Sequence, residues 1–350
     1  MSKSTNPNTK QIENLIAIKK NRQSTQSIKI LSKSIIEGNI QALSESITLL
    51  ESTKNSDQKL AQGIIQTCLP HAGNSIRIGI TGVPGVGKST FIEQFGLSLI
   101  EKGHQVAVLA IDPSSEKTKG SILGDKTRMN ELAVHPKAFI RPSANAGSLG
   151  GVARKTRESI ILCEASGFDI ILVETVGVGQ SEIAVHSMTD FFLLLMLAGA
   201  GDELQGIKRG IMEMADSILI TKADGENVKH ANLARLEYKN ALHLFPLTAN
   251  LWTPKVETIS ALEKHGIEKA IKIINDFKAH TKKNGHFAEK RSQQQKYWMS
   301  ETLKEMILKN AYAKPNFNTL KTDMEAKILK GEISSFHAAE QIYKNLYPNE

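Results

Sequence analysis

The chain has 350 residues, a net charge of +8 and a hydrophobic content of 40%. It is long enough to form one domain with a sizeable core and appendages, or two domains. Its two cysteines exclude a disulfide framework and a cysteine zinc site, and we expect a reducing compartment, the cytoplasm. The basic excess is densest beyond Glu263 and lacks a groove-reading motif, so we expect a solvated helix face and no nucleic-acid partner. The N-terminus has no apolar signal region and the run 191–198 is too short to cross a bilayer, so we expect no membrane partner.

The first part of the chain has the apolar spacing of helices. Residues 1–12 are polar, and we expect them to be disordered. Between Ile12 and Leu69, apolar residues such as Leu43, Ile47 and Leu50 recur at helical intervals. We therefore predict an N-terminal helical segment over residues 1–74.

From residue 75 onward, continuous apolar strands alternate with helices, which is typical of a parallel sheet covered on both faces. We expect this α/β core to end at residue 255 and a C-terminal helical segment to follow over 256–350, with helices near 256–283, 288–312 and 319–345. The predicted strands are 76–81, 105–111, 138–142, 168–173, 190–198, 216–221 and 243–247. Ligand-binding loops are expected at the carboxyl ends of these strands.

A glycine-rich loop stands between the first strand and the helix that follows it. Its spacing, G-x-x-x-x-G-K-S, is that of a phosphate-binding P-loop, in which backbone N–H groups converge on phosphate oxygens. Lys88 is expected to reach the β- and γ-phosphates and Ser89 to bind Mg²⁺. A turn with a chance lysine is the alternative, but the strand–loop–helix context favours nucleotide binding. The expected contacts are Gly82, Val83, Pro84, Gly85, Val86, Gly87, Lys88, Ser89 and Thr90.

Two later loops are candidates for reading the base. Thr221–Asp224 (TKAD) follows a strand where a guanine-specific GTPase carries N-K-x-D, so Asp224 is expected to pair with guanine and Lys222 to pack over it. The usual asparagine is Thr221 here. We also expect Thr248, Ala249 and Asn250 to contact the base, because they follow the last predicted strand.

Carboxylates at the strand ends are candidate ligands for Mg²⁺. Glu174 ends a strand and precedes Gly177, whose N–H could meet the γ-phosphate; the alternative is a strand cap. Asp112 and Asp125 lie in the same region, and each could instead cap a turn. Val178 stands where many GTPases carry the glutamine that orients water, so we expect slow intrinsic hydrolysis.

Five strings together resemble the MeaB/ArgK family of P-loop GTPases, in the SIMIBI class. They are GITGVPGVGKST (79–90), DPSS (112–115), GSILGDKTRM (120–129), VETVGVGQSE (173–182) and GAGDELQGIK (199–208). The resemblance covers about residues 30–345. It departs at Thr221 and at EKTK (116–119), where the family tends toward a Thr-Arg-Thr-Gly-like run.

The resemblance implies a chaperone of adenosylcobalamin-dependent methylmalonyl-CoA mutase that binds GTP or GDP with Mg²⁺, binds no cobalamin itself and forms a homodimer through helical arms. It implies that Asp112, Asp125 and Glu174 serve Mg²⁺ and the switches, and that residues 199–208 act as a third switch. The residues expected to couple the site to a partner are Gly177, Gln180, Asp202, Gln205 and Lys208.

Two other functions compete with this interpretation. An older label of the same family is a kinase of lysine-arginine-ornithine transport, but the chain has neither an H-R-D nor a D-F-G string. A metallochaperone GTPase is the other alternative. It would need a cysteine- or histidine-rich site, and the ten histidines here are scattered.

Overall fold

The computed structural model describes residues 24–111, 129–142, 149–175, 181–199, 208–246 and 249–348. The chain divides into two compact units, Met1–Arg291 and Ser292–Glu350. Residues 1–12, which we predict to be disordered, lie outside the described residues. Within the described part, no helix is long and apolar enough to cross a membrane.

The first unit is built on a seven-stranded parallel sheet with the strand order β3-β2-β4-β1-β5-β6-β7. The strands that flank β1 are β4 and β5, so the loops that follow these three strands leave the sheet side by side. The strands are β1 Ile76–Gly82, β2 Val106–Ile111, β3 Ala138–Arg141, β4 Ile170–Thr175, β5 Phe191–Met196, β6 Ser217–Ile220 and β7 Lys255–Thr258.

Helices surround this sheet and continue beyond it, which confirms the predicted fold class of a P-loop parallel sheet flanked by helical segments. Residues 24–36 are helical and form α1. The other helices are α2 Ile40–Glu51, α3 Asn55–Cys68, α4 Lys88–Glu101, α5 Asn130–Val134, α6 Leu149–Ala165, α7 Ser181–His186, α8 Lys208–Met214, α9 Val228–Leu242, α10 Ile267–Lys283, α11 His286–Tyr312, α12 Phe317–Leu329 and α13 Ser335–Leu346.

Alternate residues of the strands point to opposite faces of the sheet, and helices cover each face. One core includes Ile78 and Ile80 of β1, Phe91 and Phe95 of α4, and Phe277 of α10, all almost completely buried. Burying five such side chains removes a large apolar area from water, at roughly 1.5–3 kcal/mol for each side chain. This packing fixes α4, and therefore the phosphate loop before it, against the sheet.

A glycine lets a helix approach the other face of β1 closely. The Cβ of any side chain at Gly79 would lie 2.7 Å from Val185 Cγ1 of α7 and 2.8 Å from Phe192 Cδ2 of β5. A contact under 3 Å requires a neighbour to move. The short helix α7 therefore packs tightly against β1 and β5.

A buried charge network holds the amino edge of the sheet. Asp190, immediately before β5, accepts hydrogen bonds from Arg291 Nε at 2.8 Å and Nη2 at 2.7 Å, and from the backbone N–H of Arg77 at 2.8 Å. The Arg77 side chain in turn donates to both oxygens of Glu164. Asp190 lies more than 100 residues from both Arg77 and Arg291 in the sequence. Local sequence patterns therefore do not predict this pairing.

The last predicted strand is wrong. Helix α9 continues to Leu242 and residues 243–246 form a turn, whereas the seventh strand is Lys255–Thr258. The edge strand buries only Val256 and Thr258, so its apolar signal is weak. Both β7 and α10 belong to the first unit, Met1–Arg291.

The second unit is helical, as predicted, but its last helix is divided. The chain breaks between α12 and α13, where Gly331 has a φ of +71° that favours glycine. Ser334 caps α13 by accepting from the N–H of His337. Within this unit, Lys314 Nζ donates to the carbonyl of Leu346 and lies over the ring of Tyr347, which ties the turn before α12 to the end of α13.

Candidate nucleotide-binding site

The phosphate loop follows β1 at the carboxyl edge of the sheet. Gly85 and Gly87 have φ values of +76° and +93°, a backbone region open mainly to glycine. At Gly82 a Cβ would lie 2.5 Å from the carbonyl oxygen of Leu195, so this position also excludes a side chain. Helix α4 begins at Lys88 directly after Gly87, and its first N–H groups are therefore free of a side-chain cap from that residue. This arrangement can cradle an anion.

The side chain of Lys88 folds back over the phosphate loop that precedes it. Its Nζ donates to the carbonyl oxygen of Gly82 at 2.8 Å and more weakly to that of Val83 at 3.4 Å. Burial lowers the pKa of Lys88, while the carboxylates of Glu174 and Glu182 oppose that shift. A partly desolvated ammonium group attracts a phosphate more strongly than one in water, because the local dielectric is lower.

Glu174 is buried at the end of β4, the strand beside β1, and pairs in register with Ile80. Next to it, the hydroxyls of Thr81 and Thr175 lie 2.9 Å apart, which fixes the ends of the two strands together. The carboxylate therefore belongs to the same edge as the phosphate loop. Sequence reasoning did not select Glu182, which is 2% exposed at the start of α7, although it closes the VETVGVGQSE string.

Asp224 lies at the same edge, after β6, and its carboxylate is oriented by a serine. Ser260 Oγ donates to Asp224 Oδ2 at 2.5 Å and also accepts from the N–H of Glu263 at 3.1 Å. The backbone N–H of Ala223 donates to the carbonyl of Ile259. These contacts leave Asp224 Oδ1 to accept from a ligand.

Lys222 occupies an unusual backbone conformation within this loop. Its φ is +56°, and its carbonyl accepts from Asn227 Nδ2 at 2.7 Å. The side chain is exposed. A non-glycine residue at positive φ costs energy and is typical of functional loops. The packing of the Lys222 stem over a base stays a prediction.

Thr221 joins the base loop to the phosphate loop. Its hydroxyl donates to the carbonyl of Val86 at 2.7 Å and lies 3.2 Å from the carbonyl of Met196. Asparagine usually stands at this position, and the shorter threonine still spans the gap. Although threonine replaces the usual asparagine, a direct hydrogen bond therefore joins the base loop to the phosphate loop.

Among the described residues, the strand predicted before residues 248–250 is absent, and the base contact expected there stays a prediction. Asn250 is buried and structural: its Oδ1 accepts from the N–H of Trp252, and its carbonyl accepts from Asn284 Nδ2. The loop that follows the true last strand begins with Ile259, Ser260 and Ala261. In the sequence, this loop could have been found from the short run Val256–Ile259, which is followed by Ser260 and Ala261.

Several predicted residues lie outside the described residues. Lys208 opens α8, but its side chain is not among those described. In the described part, Ser89 is half-buried in the first turn of α4 and Thr90 is exposed. The predicted residues outside the description are Asp112, Asp125, Gly177, Gln180, Asp202, Gln205 and Thr248.

The described residues at this edge supply only part of a binding site for a divalent cation. Ser89 and Glu174 offer the hydroxyl and carboxylate oxygens that Mg²⁺ prefers. Among the described residues, no group of three or more His, Cys, Asp or Glu side chains is assembled to hold a metal. The described chain therefore gives no support to a histidine- or cysteine-rich metal site.

A family model described as "Methylmalonyl Co-A mutase-associated GTPase MeaB" matches residues 43–316. The chain belongs to the MeaB family of GTPases. This match confirms the resemblance that five sequence strings predict.

Relatives within the MeaB family are similar along most of the chain. A probable GTPase of Mycobacterium tuberculosis is 48% identical over 312 residues, which are 89% of this chain and 93% of the relative. GTPase ArgK of Escherichia coli is 47% identical over 81% of this chain and 85% of its own length. The mitochondrial methylmalonic aciduria type A homolog of Mus musculus is 45% identical over 89% of this chain and 77% of its own.

A solved structure extends the likeness to the fold. The crystal structure of an LAO/AO transport system kinase has a TM-score of 0.73 and 36% sequence identity, and the match covers 92% of this chain and 98% of that one. The MeaB-family chain thus shares the architecture of that structure along most of its length.

Proposed function

We propose that this MeaB-family chain is a Mg²⁺-dependent chaperone that binds and hydrolyses GTP and assists assembly, cofactor loading and protection of an adenosylcobalamin-dependent methylmalonyl-CoA mutase in the cytoplasm. The observation that carries the nucleotide assignment is Asp224, fixed by Ser260 at the same edge as the phosphate loop. The family description and the name of the murine relative support the mutase as partner.

In this proposal the protein supplies orientation and charge. The P-loop amides bind the phosphates, Lys88 neutralises the β- and γ-phosphates, and Asp224 accepts from the guanine N1–H and amino group, which adenine cannot match. When bound, Mg²⁺ would neutralise phosphate charge, held by Ser89, Asp112, Asp125 and Glu174. Val178 cannot orient a water molecule, so we expect slow turnover until a partner contributes.

Calorimetric titration tests the nucleotide assignment. GTP should bind about 10⁴-fold more tightly than ATP, because a site built to pair polar groups rejects the analogue that lacks them. Asp224→Asn should shift the preference toward xanthosine triphosphate, and Lys88→Ala should abolish tight triphosphate binding. Equal affinities for ATP and GTP would contradict the assignment.

The GTPase rate with saturating mutase tests the partner. We expect about 10³-fold or greater acceleration. Asp202→Ala and Lys208→Ala should keep GTP affinity and lose the acceleration if residues 199–208 form a switch, with Gly177, Gln180 and Gln205 in the same coupling role. Lys229→Ala is the matched control, because Lys229 is exposed on α9 and lies outside residues 199–208. Acceleration that is the same in all variants would mean that this loop is merely structural.

We also propose a homodimer formed through the C-terminal helices. In the second unit, Leu303, Met306 and Ile307 of α11 are each more than half exposed. Exposed apolar groups at these spacings favour association. Sedimentation should give a dimer for the native chain and a monomer for Leu303→Glu/Ile307→Lys, whereas Lys304→Glu between them should remain dimeric. A native monomer at micromolar concentration would contradict this part of the proposal.

A further inference from the structure

A cavity of about 470 Å³ lies on the first unit away from the nucleotide loops. Its walls come from Met212 and Glu213 before β6, and from segments 242–246 and 252–254 before β7. In a parallel sheet, residues that precede strands lie at the amino edge, and the loops that hold Lys88 and Asp224 follow strands at the carboxyl edge. The cavity is therefore separate from the proposed GTP site.

The walls of the cavity are mainly apolar and partly rigid. Met212, Leu242, Phe245 and Pro254 are half-buried and present apolar surface to it. Trp252 is 8% exposed, and its Nε1 donates to the carbonyl of Asp216 at 2.9 Å.

The indole of Trp252 is also supported from behind. It packs edge-on against Phe277 of α10, with ring centres 5.4 Å apart. One aromatic wall is thus fixed by the core before any ligand binds, which lowers the entropic cost of binding.

Side chains of both charge signs lie at the cavity. Of the described residues that line it, Glu213 carries the one formal charge. Just outside, Lys255 places its Nζ 5.6 Å from the centre of the Trp252 ring. A charged ligand would meet attraction from one group and repulsion from the other. Thr253 and His243 add hydrogen-bonding groups to the lining.

We propose that this cavity binds a small neutral aromatic molecule that carries one hydroxyl or similar polar group. The volume is about three times the ~150 Å³ of an apolar cavity known to hold benzene, so two fused rings fit. Aromatic ligands pack favourably on the Phe245 and Trp252 rings in offset or edge-on geometry. The site is independent of GTP hydrolysis.

The test uses three probes with the same rings and different charge: 2-naphthalenemethanol, 2-naphthalenemethylamine and 2-naphthoate. Titration calorimetry on the full chain should give a dissociation constant at or below about 1 mM for the alcohol. The amine and the carboxylate should bind several-fold more weakly. No heat from the alcohol, or a charged probe that binds 10-fold more tightly than it, would overturn the proposal.

Cavity-filling variants locate the binding. Leu242→Trp should weaken the alcohol at least 10-fold, and Leu236→Trp, half exposed on the same helix, should leave it unchanged. Met212→Trp fills the cavity from another wall if Leu242→Trp does not fold, and unchanged GTP affinity confirms folding in each case. Glu213→Gln should improve 2-naphthoate binding. Alcohol binding that survives both filling variants, or no gain for naphthoate, would overturn the proposed site.

Discussion

The Thr221 hydroxyl donates to the carbonyl oxygen of Val86 across 2.7 Å, although 135 residues separate the two in sequence. Val86 lies within the phosphate loop and Thr221 opens the base loop. Through this bond, the two halves of the proposed nucleotide site are held in one arrangement. Each half is therefore expected to depend on the other.

We expect Thr221→Val to weaken GTP binding by about 10-fold. Valine keeps the shape but leaves a buried carbonyl without its donor, a loss of roughly 1–2 kcal/mol. Thr221→Ser, which keeps the hydroxyl, should bind nearly as the native chain does. Titration calorimetry of the three proteins measures the difference, and native affinity in the valine variant would show that the bond does not support the site.

Ser260→Ala should reduce selectivity for guanine. Without the Ser260 hydroxyl, Asp224 loses the donor that orients it, and a hydrogen bond to a charged group contributes about 1.5–3 kcal/mol. GTP affinity should fall by 10-fold or more, whereas the weak affinity for ATP should stay the same. Ser300→Ala, an exposed serine of α11, serves as control. An equal loss for both nucleotides would point to a general folding defect.

Arg291→Ala should strongly destabilise the fold. The guanidinium donates to Asp190 and to the carbonyl of Ser75 at 2.7 Å, and Asp190 is 2% exposed. Removing one partner of a buried pair costs about 3–5 kcal/mol because the other charge stays buried. Lys304→Ala, which breaks an exposed pair with Glu301, should leave stability almost unchanged. Urea unfolding compares them, and similar losses would contradict the role of Arg291.

Asp216 predicts a pH dependence of stability. Burial raises the pKa of Asp216 to about 6, against the hydrogen bond from the N–H of Phe192 and the charge of Lys290. Its folded pKa is above the unfolded value, so the folded state binds the proton first. The cost of burying this carboxylate is therefore full above pH 6 and is relieved as the pH falls toward 4.

We expect the native chain to gain about 1 kcal/mol relative to Asp216→Asn between pH 7 and pH 5. Asparagine keeps an oxygen for the Phe192 N–H and does not titrate. The measurement is the difference in the free energy of urea unfolding between the two proteins, in which other titrating groups cancel. A difference that stays constant with pH would contradict the assignment.

Local patterns made the phosphate loop predictable. Its glycine spacing, its lysine and the flanking strand and helix lie within about 25 residues, so no long-range contact is needed to recognise it. The family resemblance depended on five such local strings. Asp224 was predictable for the same reason, by its spacing from Lys222.

The seventh strand was not predictable in this way. The run His243–Leu247 is more apolar than the true edge strand Lys255–Thr258, in which Lys255 is exposed and Glu257 is half-buried. Because of this error, the predicted base contact was placed at residues 248–250 and not in the loop that follows Thr258. Partners far apart in sequence, such as Asp190 and Arg291, leave no periodic signal and require the folded chain.

Strand β5 is held at both ends. Asp190 before it is bound by Arg291, and the carbonyl of Met196 at its far end accepts from the N–H of Thr221 at 2.8 Å. The chain that leaves at Gly199 reaches α8 at Lys208 after nine Cα–Cα steps, a contour of at most roughly 30 Å. Covalent geometry therefore keeps each residue between them within about 16 Å of either Gly199 or Lys208. A protein that contacts residues 200–207 must approach one of these two ends within that distance.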